Sequence, residues 1–285
     1  MKNIPVRSIK AAEAKPNISE SFKIRTVTDI LVGKDMVQDL HRHDFYFVLA
    51  LKKGSGNHEI DFVSHTISDN SVFLMRPGQV HRLELKSRSK GYLMEFGKNF
   101  FNFNDNNHIF RKAANKNFCQ LEPATSDKLQ TILASIHDEY LNQHDGFEAV
   151  IKASLSIFFI KLGRRRQHTE ISNNTRSDYA QERLHDFFAL VESDIATHKQ
   201  VSYYADKLNL SSFQLNSITK TLMGKTAAEL IDDHILLESK RYLLATSNQV
   251  NQIAYHLGYE DVSYFIRFFK KHTGFTPEMF RQNLR

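Results

Sequence analysis

The sequence predicts an α+β protein with an N-terminal β-barrel, two helices appended to it, and a C-terminal all-α domain. Three observations predict this fold class. Short apolar strands alternate with turn signals from Phe22 to about Phe103, and the apolar period becomes helical between residues 126 and 162. Near the C-terminus, one helical pattern occurs twice, about fifty residues apart. A chain of 285 residues is long enough for two domains, each with its own core.

Composition excludes several classes of protein. Hydrophobic residues make up 41% of the chain and charged residues 25%, as in ordinary globular proteins. The single cysteine, Cys119, excludes an intrachain disulfide and fits a reducing compartment. The N-terminus lacks a signal-peptide apolar run and no stretch approaches a membrane span, so we expect a cytoplasmic protein without membrane contact. The net charge of +6 mildly favours an anionic partner.

The N-terminal half is predicted to be a mobile arm followed by a barrel. Residues 1–20 contain Pro5 and Pro16 and no apolar period, and we expect them to form the arm. The short strands that follow, with turn residues between them, predict a small antiparallel barrel or jelly roll. Alternation along one run places five side chains on a face that we expect to line the interior. These are His41, His43, Phe45, Phe47 and Leu49.

Two amphipathic helices complete the first domain, for which we predict residues 21–162. The first helix carries an apolar stripe that includes Leu129, Leu133 and Ile136, and the second runs from Phe147 to Leu162. Such helices pack on the barrel, pair with another subunit, or do both, and amphipathicity does not choose between these arrangements.

A polar segment separates the two domains. Residues 163–178 are rich in Arg, Asn, Ser and Thr and have no apolar period, which predicts an interdomain linker. The second domain is then predicted to cover residues 179–285 and to begin with an amphipathic helix from Tyr179 to His198.

The last forty residues predict a helix-turn-helix unit, here called the second repeat, over residues 250–274. Ile253, Ala254 and Leu257 lie on one apolar helical face. Gly258 supplies the left-handed residue of a turn, and Asp261 can cap the next helix. That helix is basic on its polar side. Two short helices joined by a tight turn, with a basic second helix, are typical of DNA-binding proteins.

The same pattern occurs over residues 201–224, here called the first repeat. Equivalent residues are 49 apart before the turn and 50 apart after it, so the turn holds a one-residue insertion. Between the repeats, a capping box at Thr226 and Glu229 begins an apolar-periodic run of about twenty residues, or about 30 Å of helix. One turn of B-DNA measures about 34 Å, so this helix would place two recognition helices in successive major grooves.

These motifs give the chain a resemblance to a known family. The C-terminal hundred residues resemble the DNA-binding domain of AraC/XylS-type transcription regulators. The second repeat carries most of the family signature: Ile253-Ala254, Gly258-Tyr259, Asp261, Ser263, Phe265, Arg267, Phe269-Lys270-Lys271, Gly274, Thr276-Pro277 and Phe280-Arg281. The first repeat departs from it at Ser217 and Thr219, where arginine and phenylalanine are common. The order His41, His43, Gly54, Pro77-Gly78 and His81 resembles the cupin-like sensor domain of the same family.

The resemblance implies a sequence-specific transcription regulator that binds double-stranded DNA and responds to a small-molecule effector. Activation and repression of its target genes both stay open, although activator is the expected class. It also implies a homodimer formed through the helices in residues 126–162, with RNA polymerase as a candidate partner. We expect no cofactor and no enzymatic activity. Two alternatives stay open: a metal-dependent cupin enzyme with a DNA-binding tail, and a constitutive DNA binder whose barrel only dimerises.

Eleven residues of the two recognition helices are expected to reach DNA. They are Ser212, Phe213, Asn216, Ser217 and Lys220 in the first repeat, and Val262, Ser263, Tyr264, Arg267, Lys270 and Lys271 in the second. Arg267 is predicted to contact guanine and Asn216 to contact adenine. The lysines are predicted to hold phosphate, which positions the protein without specifying sequence.

The predicted DNA-binding domain is not basic overall. Residues 179–285 hold 12 Lys and Arg against 12 Asp and Glu. The cations must therefore lie together on the surface that faces DNA, and we expect Lys225 and Arg281 to be among them. Asp232, Asp233 and Glu238 are then expected to lie away from phosphate.

The barrel histidines permit three interpretations. His41, His43 and His81 occupy the positions from which metal-binding cupins take three imidazole ligands, a set that suits a divalent transition metal. Those cupins usually add a glutamate where this chain has Phe47. We therefore favour an organic-ligand pocket, formed by the three histidines with Phe45 and Phe47, over a metal site. A packed core without a ligand is the further alternative.

Overall fold

The computed structural model describes residues 6–7, 21–97, 99–101, 117–168 and 175–283. Their contacts divide the chain into an N-terminal unit within residues 4–171 and a C-terminal unit within residues 172–285. The division falls inside the segment predicted as the linker. None of the helices in these described ranges is long and apolar enough to cross a membrane.

The described part of the N-terminal unit contains ten strands in two five-stranded sheets. The strands are β1 (Val6–Arg7), β2 (Phe22–Thr26), β3 (Met36–His43), β4 (Tyr46–Lys53), β5 (Gly56–Ile60), β6 (Val63–Ile67), β7 (Ser71–Met75), β8 (Val80–Leu85), β9 (Lys90–Phe96) and β10 (Phe118–Gln120). The first sheet has the order β1-β3-β8-β5-β6 and the second the order β10-β7-β4-β9-β2. Apart from the parallel pair β1 and β3, the paired strands are antiparallel, which confirms the predicted barrel.

Strand β4 lies at the centre of the second sheet and is apolar on both faces. Phe47, Leu49 and Leu51 belong to the cluster inside the barrel. Val48 and Ala50 belong to a second cluster on the opposite face of the sheet. A strand that is buried on both faces has a nearly continuous apolar sequence, which accounts for the run in β4.

Three described helices belong to the N-terminal unit: α1 (Val27–Leu31), α2 (Pro123–Asn142) and α3 (Phe147–His168). The apolar stripes of α2 and α3 pack on the outer face of the second sheet. The two predicted appended helices are therefore confirmed, and their stripes are buried against their own barrel. Val150 and Ile157 of α3 lie outside this contact, with 41% and 49% of their surfaces exposed.

The run from His41 to Leu49, predicted as one strand, is two strands. The chain bends at residues 44–45, so that His41 and His43 end β3 in the first sheet whereas Phe47 and Leu49 lie in β4 of the second. These side chains therefore meet across the interior, from opposite walls. The alternation of inward and outward residues continues through the bend, which is why alternation did not reveal it.

Two shorter stretches also differ from the strands that their apolar residues predict, one from Phe22 through Val27 and one from His58 through Val63. Val27 begins α1 instead of continuing β2, because the Thr26 hydroxyl accepts a hydrogen bond from the Asp29 backbone and caps a helical turn. The run through Asp61 and Phe62 reverses direction, since both residues have positive φ angles, 47° and 69°, and join β5 to β6 in a hairpin.

Segments predicted to be irregular contain some regular structure. Two residues of the predicted arm form β1, which pairs with the end of β3; the rest of residues 1–20 lies outside the described residues. Helix α3 continues to His168 and the next helix begins at Thr175, so helical backbone enters the predicted linker from both sides. Arginine and glutamine favour helices, and no proline stops α3 after Leu162.

The described C-terminal unit is helical: α4 (Thr175–Asp194), α5 (Val201–Lys207), α6 (Ser212–Met223), α7 (Ala227–Ala245), α8 (Val250–His256), α9 (Val262–Thr273) and α10 (Pro277–Asn283). One apolar cluster joins both repeats to α7, which lies between them. It includes Leu215 of α6, Ile231 and Ile235 of α7, and Phe265 and Phe269 of α9. Because the two repeats share this core, α7 holds them in a fixed relative position.

Candidate nucleic-acid interface and barrel interior

The two repeats have the register that the sequence predicts. Helix α8 begins 49 residues after its counterpart α5, and the recognition helix α9 begins 50 residues after its counterpart α6. The offset thus increases by one across the turn, as in the sequence. The backbone N–H of Leu210 donates to the Ala205 carbonyl, and that of Tyr259, at the equivalent position, donates to the Ala254 carbonyl, both at 2.9 Å. The one-residue insertion is therefore Glu260, which follows the turn and precedes the cap of α9.

The turn residues have the predicted left-handed backbone. Asn209 has a φ angle of 55° and Gly258 one of 71°. A Cβ atom at Gly258 would lie 1.6 Å from the Ala196 carbonyl oxygen. Only glycine therefore fits the second turn, whereas the first turn accommodates an asparagine.

Caps fix the start of both recognition helices. The Ser211 hydroxyl accepts from the Gln214 backbone N–H, and the Gln214 side chain accepts from the Ser211 backbone in return. In the second repeat, the Asp261 carboxylate accepts from the Ser263 backbone N–H at 2.7 Å. These bonds satisfy N–H groups that a helix start leaves open, and they orient the first turns of α6 and α9.

The faces predicted to meet DNA are largely open to solvent. In α6, exposed residues are Ser212, Phe213, Ser217 and Lys220; in α9, they are Ser263, Tyr264, Arg267, Lys270 and Lys271. Val262 is half-buried. Phe213 is the most exposed aromatic residue among them, with 83% of its surface accessible. Nine of the eleven predicted residues thus lie on a free surface.

Asn216 does not lie on this free surface. It is half-buried, and its carboxamide oxygen accepts a hydrogen bond of 2.9 Å from the backbone N–H of Ala227, the first residue of α7. The equivalent residue of the second repeat is Ile266, which packs against the core. The geometry assigns Asn216 to joining α6 to α7, which argues against the predicted adenine contact.

Two of the cations expected on the DNA-facing surface have other partners. Lys225 forms an ion pair of 2.6 Å with Asp233. Arg281 is buried, and its guanidinium donates to the carbonyl oxygens of Leu243 and Asn248 at 3.0 and 2.5 Å. The expectation for Arg281 was therefore wrong. A charged side chain can be buried when backbone carbonyls accept its hydrogen bonds, and no local pattern signals that.

Arg267 is held loosely by its own helix. Its guanidinium lies 3.6 Å from the Asp261 carboxylate and 6.0 Å from the centre of the Tyr264 ring. Two-thirds of its side chain is exposed, at 67%. Exposed ion pairs of this kind contribute little free energy, so the guanidinium can exchange Asp261 for a guanine edge at small cost.

The five residues predicted to form a pocket come together inside the barrel. His41, His43, Phe45, Phe47 and His81 are all buried, none exposing more than 4% of its surface. The His43 ring lies 4.3 Å from Phe45 and 5.4 Å from Phe47, measured between ring centres. The Phe47 ring lies 5.3 Å from that of His81. This part of the interior is thus aromatic, with imidazole nitrogens among its polar atoms, whereas most of the remaining barrel core is aliphatic.

A fourth histidine, which sequence reasoning missed, belongs to this cluster. His58 of β5 is buried, and its Nε2 lies 2.8 Å from Nδ1 of His81. Burial, together with neighbouring histidines, lowers the pKa of His58 to about 3, so the ring stays neutral. Its sequence signal is the alternation with Ile60, which also faces inward.

Comparison with known proteins decides the family. A family model described as an AraC-like ligand binding domain matches residues 35–155, and one described as a helix-turn-helix domain matches residues 204–283. The chain belongs to the AraC family. It is a DNA-binding transcription regulator with a ligand-binding domain, and the predicted family, fold class and general function are confirmed.

Relatives of this AraC-family chain match either along most of its length or over one segment. It is 23% identical over 252 residues to the HTH-type transcriptional activator RhaR of Mannheimia succiniciproducens, covering 85% of this chain and 86% of that protein. It is 23% identical over 257 residues to the activator RhaS of Salmonella paratyphi A, covering 85% and 87%. A 78-residue segment is 36% identical to the bifunctional activator and DNA repair enzyme AdaA of Bacillus subtilis, covering 27% and 37%.

Solved structures of other regulators are also similar. ToxT of Vibrio cholerae with a bound unsaturated fatty acid matches 92% of this AraC-family chain and 95% of its own, with 21% identity and a TM-score of 0.43. The C-terminal domain of the response regulator yesN of Fusobacterium nucleatum matches 33% of this chain and 93% of its own, with 30% identity and a TM-score of 0.32.

The repeat itself reveals two recognition-helix positions that sequence reasoning missed. The first-repeat equivalents of Tyr264 and Lys271 are Gln214 and Thr221, and both are exposed. The Gln214 side chain is engaged in the capping box, whereas Thr221 lies one turn further along the same face as Ser217. Subtracting the offset of 50 from each of the six residues predicted in α9 gives both positions.

Proposed function

We propose that this AraC-family protein is a cytoplasmic activator whose two repeats read successive major grooves of one DNA site. The observation that carries the proposal is the pair of matched, exposed recognition faces on α6 and α9, joined by a shared core. Helix α7 has 19 residues, or about 28 Å of helix, which is close to one turn of B-DNA.

The exposed faces of α6 and α9 differ in charge, and therefore in what each contributes to DNA binding. Helix α9 presents Arg267, Lys270 and Lys271, whereas the matched positions of α6 hold Ser217, Lys220 and Thr221. The second repeat therefore supplies more of the salt-dependent attraction to phosphate. The first repeat adds contacts of another kind from Ser212 and Phe213, since an exposed ring can pack on a thymine methyl group.

Within α9, Arg267 is the residue proposed to read a base. Its guanidinium can donate two hydrogen bonds to the O6 and N7 atoms of guanine, and such a bidentate pair discriminates against other bases by about 1–3 kcal/mol. Ser263, Tyr264 and half-buried Val262 lie on the same N-terminal half of the helix, which enters the groove first. Lys270 and Lys271 lie in the last turn and hold phosphate.

The test compares Arg267→Ala with Arg267→Lys on an operator selected from random DNA. Both variants should lose about 5- to 150-fold in preference over scrambled DNA, because lysine keeps the charge but lacks the bidentate fork. Lys270→Ala should weaken binding to both DNAs equally and reduce the slope of log affinity against log salt by about 0.9. Unchanged discrimination in both Arg267 variants would refute base reading by this helix.

A homodimer through α3 is the second part of the proposal. Val150 and Ile157 lie two helical turns apart, on one face of α3 that the barrel leaves exposed. A second copy would cover both side chains and pair two DNA-binding units on a longer operator. In sedimentation equilibrium, Val150→Asp with Ile157→Asp should shift the protein to monomer. Val63→Asp, which changes an exposed valine on strand β6, should not.

The barrel is proposed to hold the effector, in the interior lined by the cluster that includes His43 and Phe47. A ligand alters DNA binding only if it binds one arrangement of the protein better than another. Because relatives are named as activators, the DNA-bound protein is proposed to recruit RNA polymerase. Operator affinity measured with and without effector candidates separates this regulator from a constitutive DNA binder.

A further inference from the structure

The repeated sequence begins before the first helix of each repeat. Residues 196–201 read Ala-Thr-His-Lys-Gln-Val, and residues 245–250, which lie 49 positions later, read Ala-Thr-Ser-Asn-Gln-Val. The first of these stretches covers most of the loop between α4 and α5, residues 195–200, here called the α4–α5 loop. One of the two differences places Lys199 where the later stretch has Asn248. The two segments can therefore differ in what they contact.

The α4–α5 loop is fixed to the helices on both sides of it. The Tyr203 hydroxyl donates to the Asp194 carboxylate at the end of α4, at 2.8 Å. The Tyr204 hydroxyl donates to the His198 carbonyl at 2.6 Å. The His198 ring stacks on that of Tyr203, with the ring centres 3.7 Å apart and the planes at 6°. The loop therefore moves together with the first repeat.

The same loop contacts the turn of the second repeat. The Lys199 ammonium donates to the Gly258 carbonyl at 2.9 Å and lies 4.9 Å from the centre of the Tyr259 ring. The Ala196 carbonyl oxygen occupies the space beside Gly258 that a Cβ atom would need. Burial lowers the pKa of Lys199, since these groups replace part of its water. A hydrogen bond that is partly shielded from water in this way is stronger than an exposed one.

Asn248, the equivalent of Lys199, makes a different connection. Its backbone carbonyl accepts a hydrogen bond of 2.5 Å from the guanidinium of Arg281 on α10. The later segment is thus bonded to a helix that follows it, whereas Lys199 connects the loop before the first repeat with the turn of the second. The repeated sequence therefore has a contact between its two copies that starts at a position where the copies differ.

Apolar packing alone fixes the angle between the two repeats poorly. Such packing is non-directional, so the cluster shared with α7 sets the distance between α6 and α9 more strictly than their relative rotation. A hydrogen bond has a preferred direction, and the bond from Lys199 is made by an element other than α7. It therefore opposes rotation of the second turn relative to the first repeat.

We propose that Lys199 is a positioning residue that fixes the angle between the two recognition helices. By holding the turn at Gly258 and Tyr259 on the α4–α5 loop, it determines which spacing of half-sites one chain accepts. The turn leads directly into α9, so a movement of the turn moves the N-terminal half of that helix. This inference rests on the proposed function, because spacing matters only if both repeats read one DNA site.

The test compares full-length wild type with Lys199→Met on the selected operator and on two versions with one base pair added or removed between the half-sites. One base pair turns a half-site by about 35° and moves it by about 3.4 Å. Methionine keeps the aliphatic stem and removes the ammonium. We expect the variant's preference for the selected spacing, measured as a ratio of affinities, to fall about 3- to 10-fold, the factor that one hydrogen bond contributes. Affinity for operators with one half-site scrambled should match the wild type.

Two further variants serve as controls. Lys199→Arg should keep the wild-type preference, because its guanidinium can donate to the same carbonyl. Lys207→Met removes an exposed lysine that also lies near a tyrosine ring, 5.6 Å from that of Tyr203, but within the first repeat. Its preference for the selected spacing should equal that of the wild type.

Two results for Lys199→Met would overturn the inference. One is an unchanged preference for the selected spacing. The other is an equal loss of affinity on single half-sites and on the whole operator, which would assign Lys199 to DNA contact or to the fold of one repeat. If the wild type itself shows no preference among spacings, the proposed function fails and the inference fails with it.

Discussion

Arg267 and Arg281 carry the same charge in the same region of the chain, but their surroundings give them different roles. Arg267 is exposed on α9 beside Asp261. Arg281, on α10, is buried and bonded to two backbone carbonyls, those of Leu243 at the end of α7 and Asn248 before α8. It therefore holds the turn between α7 and α8, which sets the position of the second repeat.

Replacing Arg281 should affect stability and not DNA recognition. Arg281→Met removes two hydrogen bonds from a charged donor, each worth about 1.5–3 kcal/mol. We expect the free energy of unfolding in urea to fall by about 3 kcal/mol or more. The salt dependence of DNA binding, measured where the variant is folded, should match the wild type. A lower salt slope with unchanged stability would place Arg281 on phosphate instead.

At the scale of the elements, the glycines that follow α8 and α9 show how the surroundings decide whether a position requires glycine. Gly258 and Gly274 have nearly the same left-handed φ angles, 71° and 78°. A Cβ atom at Gly274 would meet nothing within 4 Å, whereas one at Gly258 would meet the Ala196 carbonyl carbon and oxygen at 2.6 and 1.6 Å. The segment that follows α4 thus packs against the turn of the second repeat.

Alanine at these two positions gives a matched comparison. Gly274→Ala should cost about 1–2 kcal/mol, the strain of a left-handed alanine. Gly258→Ala adds a backbone clash and should cost more than about 4 kcal/mol, an exceptional value for one substitution. Urea unfolding followed by circular dichroism measures both. Equal costs would mean that the segment around Ala196 moves aside freely.

The helical elements were predictable because local signals specify them. Thr226 with Glu229, and Asp261, act through bonds within a few residues, and the repeat supplied the register. The bend between β3 and β4 was not predictable, because the inward residues alternate without interruption across it. Likewise, Arg281 and His58 owe their roles to partners distant along the chain, Leu243 and His81, which no local pattern reports.

In the C-terminal unit as a whole, DNA binding depends on where the charged and apolar residues lie, and not on how many of each the unit contains. Its equal numbers of acidic and basic residues do not prevent DNA binding, because Asp233 pairs with Lys225 and Glu238 pairs with Arg241, and neither of these cations belongs to α9. Asp232, expected to lie away from phosphate with them, instead lies 3.9 Å from His272 in the last turn of α9. The shared core places Leu215 of α6 and Phe265 of α9 in one cluster with α7. Two recognition helices fixed in this way accept one spacing of half-sites.

The most direct test of this account is the affinity for operators in which 5 or 10 base pairs are inserted between the two half-sites read by one chain. A rigid α7 predicts that both insertions reduce affinity to that of a single half-site. The 5-base-pair insertion turns the second half-site to the opposite face, and the 10-base-pair insertion moves it one helical turn, about 34 Å, out of reach. Full affinity with the 10-base-pair insertion would contradict the account, because it would show that the two repeats move independently.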